Sequence, residues 1–506
     1  MSAKRKFLYN GIVLTLVGFA MRGAVLFLGA YISSEIGAEG VGLQGLVSTV
    51  YSFAVTFATS GVSLSVTRLV ASSLGEGKDG TSILRGAFLY AICFGLGATA
   101  ILFLFSDLIG IYVLADRRVA VALRILSASL LPIALSSVIS GYFVAVRRVA
   151  FNAAVQISGQ VMRILLTVIL LTKVSGMGVS AAVHALALGA TVTETVCFSI
   201  ALAEFLIDRR IHRQQAESGC GIGKVSRMAL PLALSAYVRS FLLSVEHSLI
   251  PKRLTDRGNS RSEALASYGY LSGMALPIIL FPMTPLSSFS GLLVPEFAES
   301  EGASDEKRMQ RMAALAIEKA LVYAVVVATF IFAFSEELGY VIYDTYEAGK
   351  YIGFLAPVIP IMYLDHVTDS MLKGIGEHVY SMWVNIADSF LSVFLVWLLI
   401  PLMDISGYAL VIIIMECFNF ILSYVRLRKR IRFSFSPYRA LILPFLASLS
   451  AVIIAKGTFV FVGRSVTWTW LALQLVFGAC VFIAIISGTQ IVKICAKMTT
   501  KICKNR

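Results

Sequence analysis

Charge is scarce in this chain. Lys, Arg, Asp and Glu make up 14% of its 506 residues, where soluble domains average about 25%. Together with 58% hydrophobic residues, that deficit excludes a water-soluble globular protein. No extended stretch is polar enough to fold as a separate soluble domain. The five histidines are scattered with no H-E-x-x-H pattern, so no metal site is argued. The seven cysteines form no CxxC pair. Cys93, Cys197, Cys417 and Cys480 lie in apolar runs, and Cys220, Cys495 and Cys503 in basic stretches. An odd count so placed argues against a disulfide framework and for small apolar packing residues. Gly75–Thr81 is rich in glycine but lacks the G-x-x-x-x-G-K-[ST] order, which excludes ATP binding there. No spacing suggests a Ser-His-Asp or Cys-His arrangement. The expectation is a protein that is not an enzyme and carries no cofactor.

Long apolar runs are what the chain has in plenty. Windows of about 20 residues, the length that crosses a bilayer, give fourteen expected spans at 11–32, 41–64, 82–105, 121–146, 152–172, 178–206, 225–250, 268–293, 312–334, 352–372, 380–402, 405–425, 438–461 and 467–492. The first is too long for the apolar core of a cleavable signal and reads as a retained span. An even count puts both termini on one side. Basic clusters choose the cytoplasm for that side: Lys4-Arg5-Lys6, Arg147-Arg148, Arg209-Arg210-Arg213, Arg426 to Arg432 and the tail from Lys493. Roughly 29 of the 43 Lys and Arg then lie inside and about 11 outside. The acidic loop Ser335–Lys350 falls outside, as does one discordant loop carrying Lys252, Arg253, Arg257 and Arg261. The net charge of +14 is thereby explained by loops beside anionic lipid heads rather than by nucleic acid.

The chain also repeats. Ser60 matches Ser288 and Val66 matches Val294 at an offset of 228. Phe151, Val155, Gln156 and Ile157 match Tyr380, Val384, Asn385 and Ile386, and Gly178 matches Gly407, at 229. Six spans per repeat give both halves the same orientation. The expected architecture is an all-α polytopic membrane protein of about fourteen transmembrane helices: an N-lobe at 1–206, a cytoplasmic linker at 207–224, a C-lobe at 225–430, and two further helices with a basic tail at 431–506. Two parallel six-helix lobes around a central cavity make a transporter frame.

Three arginines, Arg22, Arg163 and Arg239, fall mid-span. A charge there costs about 2.5 kcal/mol or more and normally faces a protein-lined path. Arginine's flat, permanently charged fork suits phosphate. The functional reading is substrate binding, with Arg22 and Arg239 each on the first span of a lobe and clamping one pyrophosphate. The alternative is that each locks helices by pairing with an acid such as Glu194 or Glu246. Six buried acids, Glu194, Glu246, Asp365, Asp369, Asp388 and Glu416, are candidates for coupling or gating, or else simple partners of arginines. Asp365 and Asp369, with His366 between them, share one helix face at i and i+4. Glu35 and Glu39 read as a solvated hairpin turn. Pro277, Pro282 and Pro285 crowd one span and suggest a hinge. In the last two spans Phe445, Leu449, Phe459, Phe461, Leu475 and Phe477 would line a groove for a lipid tail, or else a packing or dimerisation surface.

Ile36-Gly-Ala-Glu-Gly-Val-Gly-Leu43, Ala58-Thr-Ser-Gly-Val-Ser-Leu64 and Arg68-Leu-Val-Ala71 in the first lobe resemble the stage V sporulation protein B group. So do Met228-Ala-Leu-Pro231, Leu249-Ile-Pro-Lys-Arg-Leu254 and Gly273-Met-Ala-Leu-Pro277 in the second. That group sits among the polysaccharide flippases of the multidrug/oligosaccharidyl-lipid/polysaccharide exporter superfamily, with MurJ-like lipid II flippases as relatives. The resemblance implies a multi-pass protein of a bacterial cytoplasmic membrane. It would move an undecaprenyl-pyrophosphate-linked saccharide by alternating access, for peptidoglycan and in a sporulation setting for spore cortex. Its implied partners are the lipid-linked saccharide, membrane lipids and cell-wall synthesis enzymes. The driving force, a coupling ion or the membrane potential, stays open. The competing expectation is a cation-coupled multidrug exporter of the same superfamily.

Overall fold

The computed structural model describes residues 3–75, 80–146, 148–211, 220–436, 438–460 and 467–504. Side chains are described between residues 18 and 487 except at 75, 149–150, 209–211, 232, 235 and 459–460. Every regular element among the described residues is helical. In chain order the α-helices are α1 (Ala3–Thr59), α2 (Val62–Gly75), α3 (Thr81–Leu108), α4 (Arg118–Ser127), α5 (Leu130–Ala145), α6 (Val149–Val174), α7 (Val179–Ile211), α8 (Ile222–Asp256), α9 (Arg261–Tyr268), α10 (Leu276–Leu280), α11 (Thr284–Gly302), α12 (Glu306–Ala333), α13 (Ser335–Tyr343), α14 (Tyr346–Leu355), α15 (Ile359–Gly374), α16 (His378–Met403), α17 (Ile405–Arg430), α18 (Leu443–Val460) and α19 (Trp468–Lys504).

Among the described residues eleven helices are long and apolar enough to cross a membrane. The bent pairs α4–α5, at 42°, and the two parts of α8, at 47°, bring the number to thirteen. The helix α1, 57 residues long, would run about 85 Å at 1.5 Å per residue, far beyond a hydrocarbon core of about 30 Å. Gly37 breaks it, with φ 67° and ψ 179°. Counting its two arms separately gives the fourteen spans expected from sequence.

Two differences from expectation have local causes. The span at 41–64 does not stop there: Ser60 and Gly61, at φ 45° and 69°, break it and α2 carries on. The loop Ser335–Lys350 is largely helical, as α13 and the start of α14. Glu336 and Glu337 occupy the first turn of α13, where carboxylates favour the helix dipole, and its Tyr343 is buried.

Packing divides the chain into two compact units, whose bounds differ from the lobes expected from the repeat. The first holds Met1–Ala30, Tyr270–Val384 and Ala409–Arg506. Within it Gly374 of α15 sits on α11, where a Cβ would come within 2.9 Å of the Val294 oxygen. The helices α18 and α19 pack on α12 and α13 through buried Phe334, Val452 and Leu471, a Ser448–Thr329 hydrogen bond of 3.1 Å and a Lys456–Glu337 ion pair of 2.8 Å. Leu475 joins that cluster. Phe445, Leu449 and Phe477 stay exposed, while Phe459 and Phe461 lie outside the described side chains.

The second unit holds Tyr31–Gly269 and Asn385–Tyr408. Its helices approach closely through glycine. A Cβ on Gly141 of α5 would meet the Ser63 oxygen of α2 at 2.5 Å. The basic residues Arg147, Arg209, Arg210 and Arg213, the N-terminal Lys4-Arg5-Lys6 and the tail from Lys493 lie outside the described residues or side chains.

Candidate functional site

Pro282 and Pro285 interrupt the run from α9 to α11, because proline donates no N–H to the residue four back. The chain passes through a π-helical stretch, Gly269–Ala275, then α10, then a 3₁₀ turn at Phe281–Met283. The Thr284 N–H turns to the Phe281 oxygen and leaves the Leu280 carbonyl without its helical donor. Three side chains of the first unit take up the carbonyls around the break. Tyr363 Oη donates to Ile279 O at 2.9 Å, Arg22 Nη1 to Leu280 O at 3.0 Å, and Tyr323 Oη to Pro282 O at 2.6 Å. Arg22 therefore caps a broken helix with one prong of its fork. Its charge also reaches His366, between the two acids of α15. Asp369 pairs with Lys373 at 2.5 Å, and Asp365 is half-buried. On α17 Glu416 is half-buried as well.

The other two arginines lie in the second unit. Arg163 of α6 and Glu194 of α7 form an ion pair of 2.8 Å, which ties these two helices to each other. Arg239 of α8 is exposed, and among the described residues no acid or hydrogen-bond partner meets it. Glu246 lies two turns further along, about 10 Å at 1.5 Å per residue, and turns elsewhere. It is buried, hydrogen-bonds Ser392 and feels the charge of Asp388. Two of the sequence-picked acids, Glu246 and Asp388, are thus brought together across α8 and α16.

The second unit also holds a small cavity of about 140 Å³ lined by Ser48, Thr49 and Ser52 of α1 and Ser240, Leu243, Ser244 and His247 of α8. Each serine or threonine face follows an i, i+4 pattern: Ser52 donates to the Ser48 carbonyl at 2.7 Å and Ser244 to that of Ser240 at 2.9 Å. Ser244 also reaches the Thr49 carbonyl at 3.2 Å. That spacing stands in the sequence and was the available signal for this wall.

The solvated-turn reading of Glu39 fails. Arg118 donates to Glu39 at 2.8 Å and Ser262 Oγ at 2.6 Å, while Arg118 also holds Asp116 at 2.8 Å. Arg261 donates to the Leu114 carbonyl. Burial pushes the Asp116 carboxyl up, but the hydrogen bonds and charge of Arg118 hold it below its ordinary value. Under this network the second arm of α1 lies backbone to backbone against α9. A Cβ on Gly42 would stand 2.0 Å from the Leu265 oxygen, and one on Gly269 2.2 Å from the Ala38 oxygen. Residues from both halves of the sequence repeat are clamped here. In the first unit Glu377, at the α15–α16 turn, is gripped by Arg426 at 2.8 Å and Arg430 at 2.5 Å. The Arg426 hydrogen bond, foremost, holds its carboxyl below the usual range.

The polysaccharide biosynthesis protein family matches residues 7–301, more than half of the chain, and the MatE family matches residues 258–398. Stage V sporulation protein B of Bacillus subtilis (strain 168) is 24% identical over 423 residues, 81% of either chain. Sporulation protein YkvU of the same strain is 21% identical over 356 residues, 70% of this chain and 79% of that one. Among solved structures, lipid II flippase MurJ in an inward closed conformation aligns with a TM-score of 0.72 at 14% identity, covering 96% of this chain and 100% of that one. An inward-facing multidrug resistance MATE family transporter of the MOP superfamily aligns at 0.65 and 15%, covering 83% and 97%. Those structural likenesses establish a transporter fold. The chain is a multi-pass membrane protein and belongs to the polysaccharide biosynthesis protein family.

Proposed function

We propose that this protein is a flippase that carries an undecaprenyl-pyrophosphate-linked saccharide from the inner to the outer leaflet by alternating access, with both termini cytoplasmic. The observation that carries the reading is Arg239. A mid-span charge costs about 2.5 kcal/mol or more, and a purely structural arginine recovers that cost by pairing, as Arg163 does with Glu194. Arg239 has no such partner among the described residues, and its chain neighbour Ser240 lines a hydroxyl-walled cavity of about 140 Å³, an arrangement suited to a phosphate group. The Arg22 fork keeps donors beyond the one on Leu280. The clamp at Glu39, Arg118 and Ser262 suits the closed end of such a cycle. Membership in a polysaccharide biosynthesis family and the name of the MurJ neighbour agree with the substrate class. Catalysis is no part of this reading, and spore cortex is one destination of the sugar.

A second reading, a cation-coupled multidrug exporter, draws on the MATE likeness and on Glu246 beside Asp388. In the favoured reading the same acids are the coupling site. The deciding measurement is the outer-leaflet accessibility of undecaprenyl-linked precursors in cells depleted of this protein. Depletion should trap the precursor inside, wild type should restore it, and Arg239→Ala, though inserted and abundant, should not. Arg239→Lys should restore it in part, since an ammonium lacks the bidentate fork. Unchanged precursor exposure with raised drug accumulation on depletion would favour the exporter.

A further inference from the structure

The starts of α3 and α8, both within the second unit, border an open cavity of about 600 Å³ whose lining includes Ser82, Cys220, Gly221, Gly223, Lys224 and Arg227. Glycine makes the approach possible. The Gly221 N–H donates to the Ser82 carbonyl at 2.8 Å, and a Cβ on Gly86 would stand 2.3 Å from the Ile222 nitrogen. Among the described residues no carboxylate lines the cavity, and neither Lys224 nor Arg227 is paired with one. Two cations side by side in a concave site, with no acid against them among the described residues, create a positive potential that a single surface lysine does not. Neither helix start is capped by a side chain, so the partial positive charge of both adds to it.

We propose that this cavity is a binding site for a phosphate group, on the membrane face that the basic bias assigns to the cytoplasm. Arg227 offers paired donors to two phosphate oxygens, and Lys224 supplies a second charge. The group arrives on an anionic lipid head or on a soluble phosphate compound. The site is separate from the mid-span arginines and does not rest on the flippase reading.

Cys220, exposed on the lining, is a built-in reporter. The full-length protein is placed in phosphatidylcholine nanodiscs, and its modification by N-ethylmaleimide is followed thiol by thiol by mass spectrometry. Inorganic pyrophosphate is added in one arm, and phosphatidylglycerol replaces part of the lipid in another. One of the two should slow Cys220 by about threefold when the free ligand is twice its Kd, with Cys93 and Cys480 unaffected. Protection by pyrophosphate alone assigns a soluble ligand, and protection by phosphatidylglycerol alone assigns a headgroup. Protection should vanish in Lys224→Gln/Arg227→Gln and persist in Lys224→Arg. A Cys220 rate indifferent to both probes, or equal protection in the double glutamine variant, overturns the assignment.

Discussion

Replacing Gly42 by alanine tests whether the contact between the second arm of α1 and α9 is a working joint. The new methyl would lie 2.0 Å from the Leu265 oxygen and 2.8 Å from its carbonyl carbon. Comfortable contacts begin at about 3.5 Å, so the helices must part by more than about 1 Å. The obstacle is main chain and cannot rotate aside. Overpacking of this kind costs about 1–3 kcal/mol, and it is felt only while the two helices touch. Any state in which they separate is favoured by that amount, a shift of about 5- to 150-fold. Hydrogen–deuterium exchange of the peptide spanning Arg261–Tyr268 should accelerate in Gly42→Ala, and transport should change with it. Gly29→Ala is the control, because nothing lies within 4 Å of its added methyl. If Gly42→Ala exchanges and transports like Gly29→Ala, the close approach has no part in the cycle.

Arg163→Ala strands the Glu194 carboxylate within a span and should cost about 1–3 kcal/mol; adding Glu194→Gln should recover most of it in thermal unfolding, and a double variant no better than the single would dismiss the pair. The depressed pKa of Glu377 contributes stability that is present above the ordinary carboxylate value of about 4.3 and is lost as pH falls through the folded-state value. Below about pH 4.3 the melting temperature of wild type should therefore drop more steeply than that of Glu377→Gln, and parallel curves would contradict the linkage. Truncation after Lys429 removes the cover from Phe334, which is fully buried, so the twelve-span remainder should yield less folded protein; a normal yield with no flipping would instead return the last two helices to guiding the lipid tail.

The spans were legible because apolar runs long enough for a bilayer have little else to form, and the proline cluster correctly marked a broken helix. What surrounds that break was not legible. Nothing near Arg22 in sequence announces that Leu280, 258 residues away, will offer it a bare carbonyl, since that vacancy arises only when the backbone tightens into a 3₁₀ turn. Glu39 departs from expectation for a related reason: hairpin position says solvent, and only the fold brings Arg118 and Ser262 to it. Arg163 and Glu194 were both picked from their depth, and their pairing follows from adjacent antiparallel helices. The hydroxyl wall at Ser48, Ser52, Ser240 and Ser244 is written in the sequence as an i, i+4 spacing, but in an apolar chain hydroxyls stand out far less than charges do.

The break between α10 and α11 has a mechanical consequence. Its carbonyls at Ile279, Leu280 and Pro282 are held by Tyr363, Arg22 and Tyr323, side chains from three different helices. Such a segment is not a loose swivel but a joint tied at three points. Bending it further means surrendering a bond to α15, one to α1 and one to α12, and each orphaned carbonyl would cost about 1–3 kcal/mol without water to replace its donor. Bending is thereby resisted at three points at once, and a ligand that competes for the Arg22 fork loosens one of them.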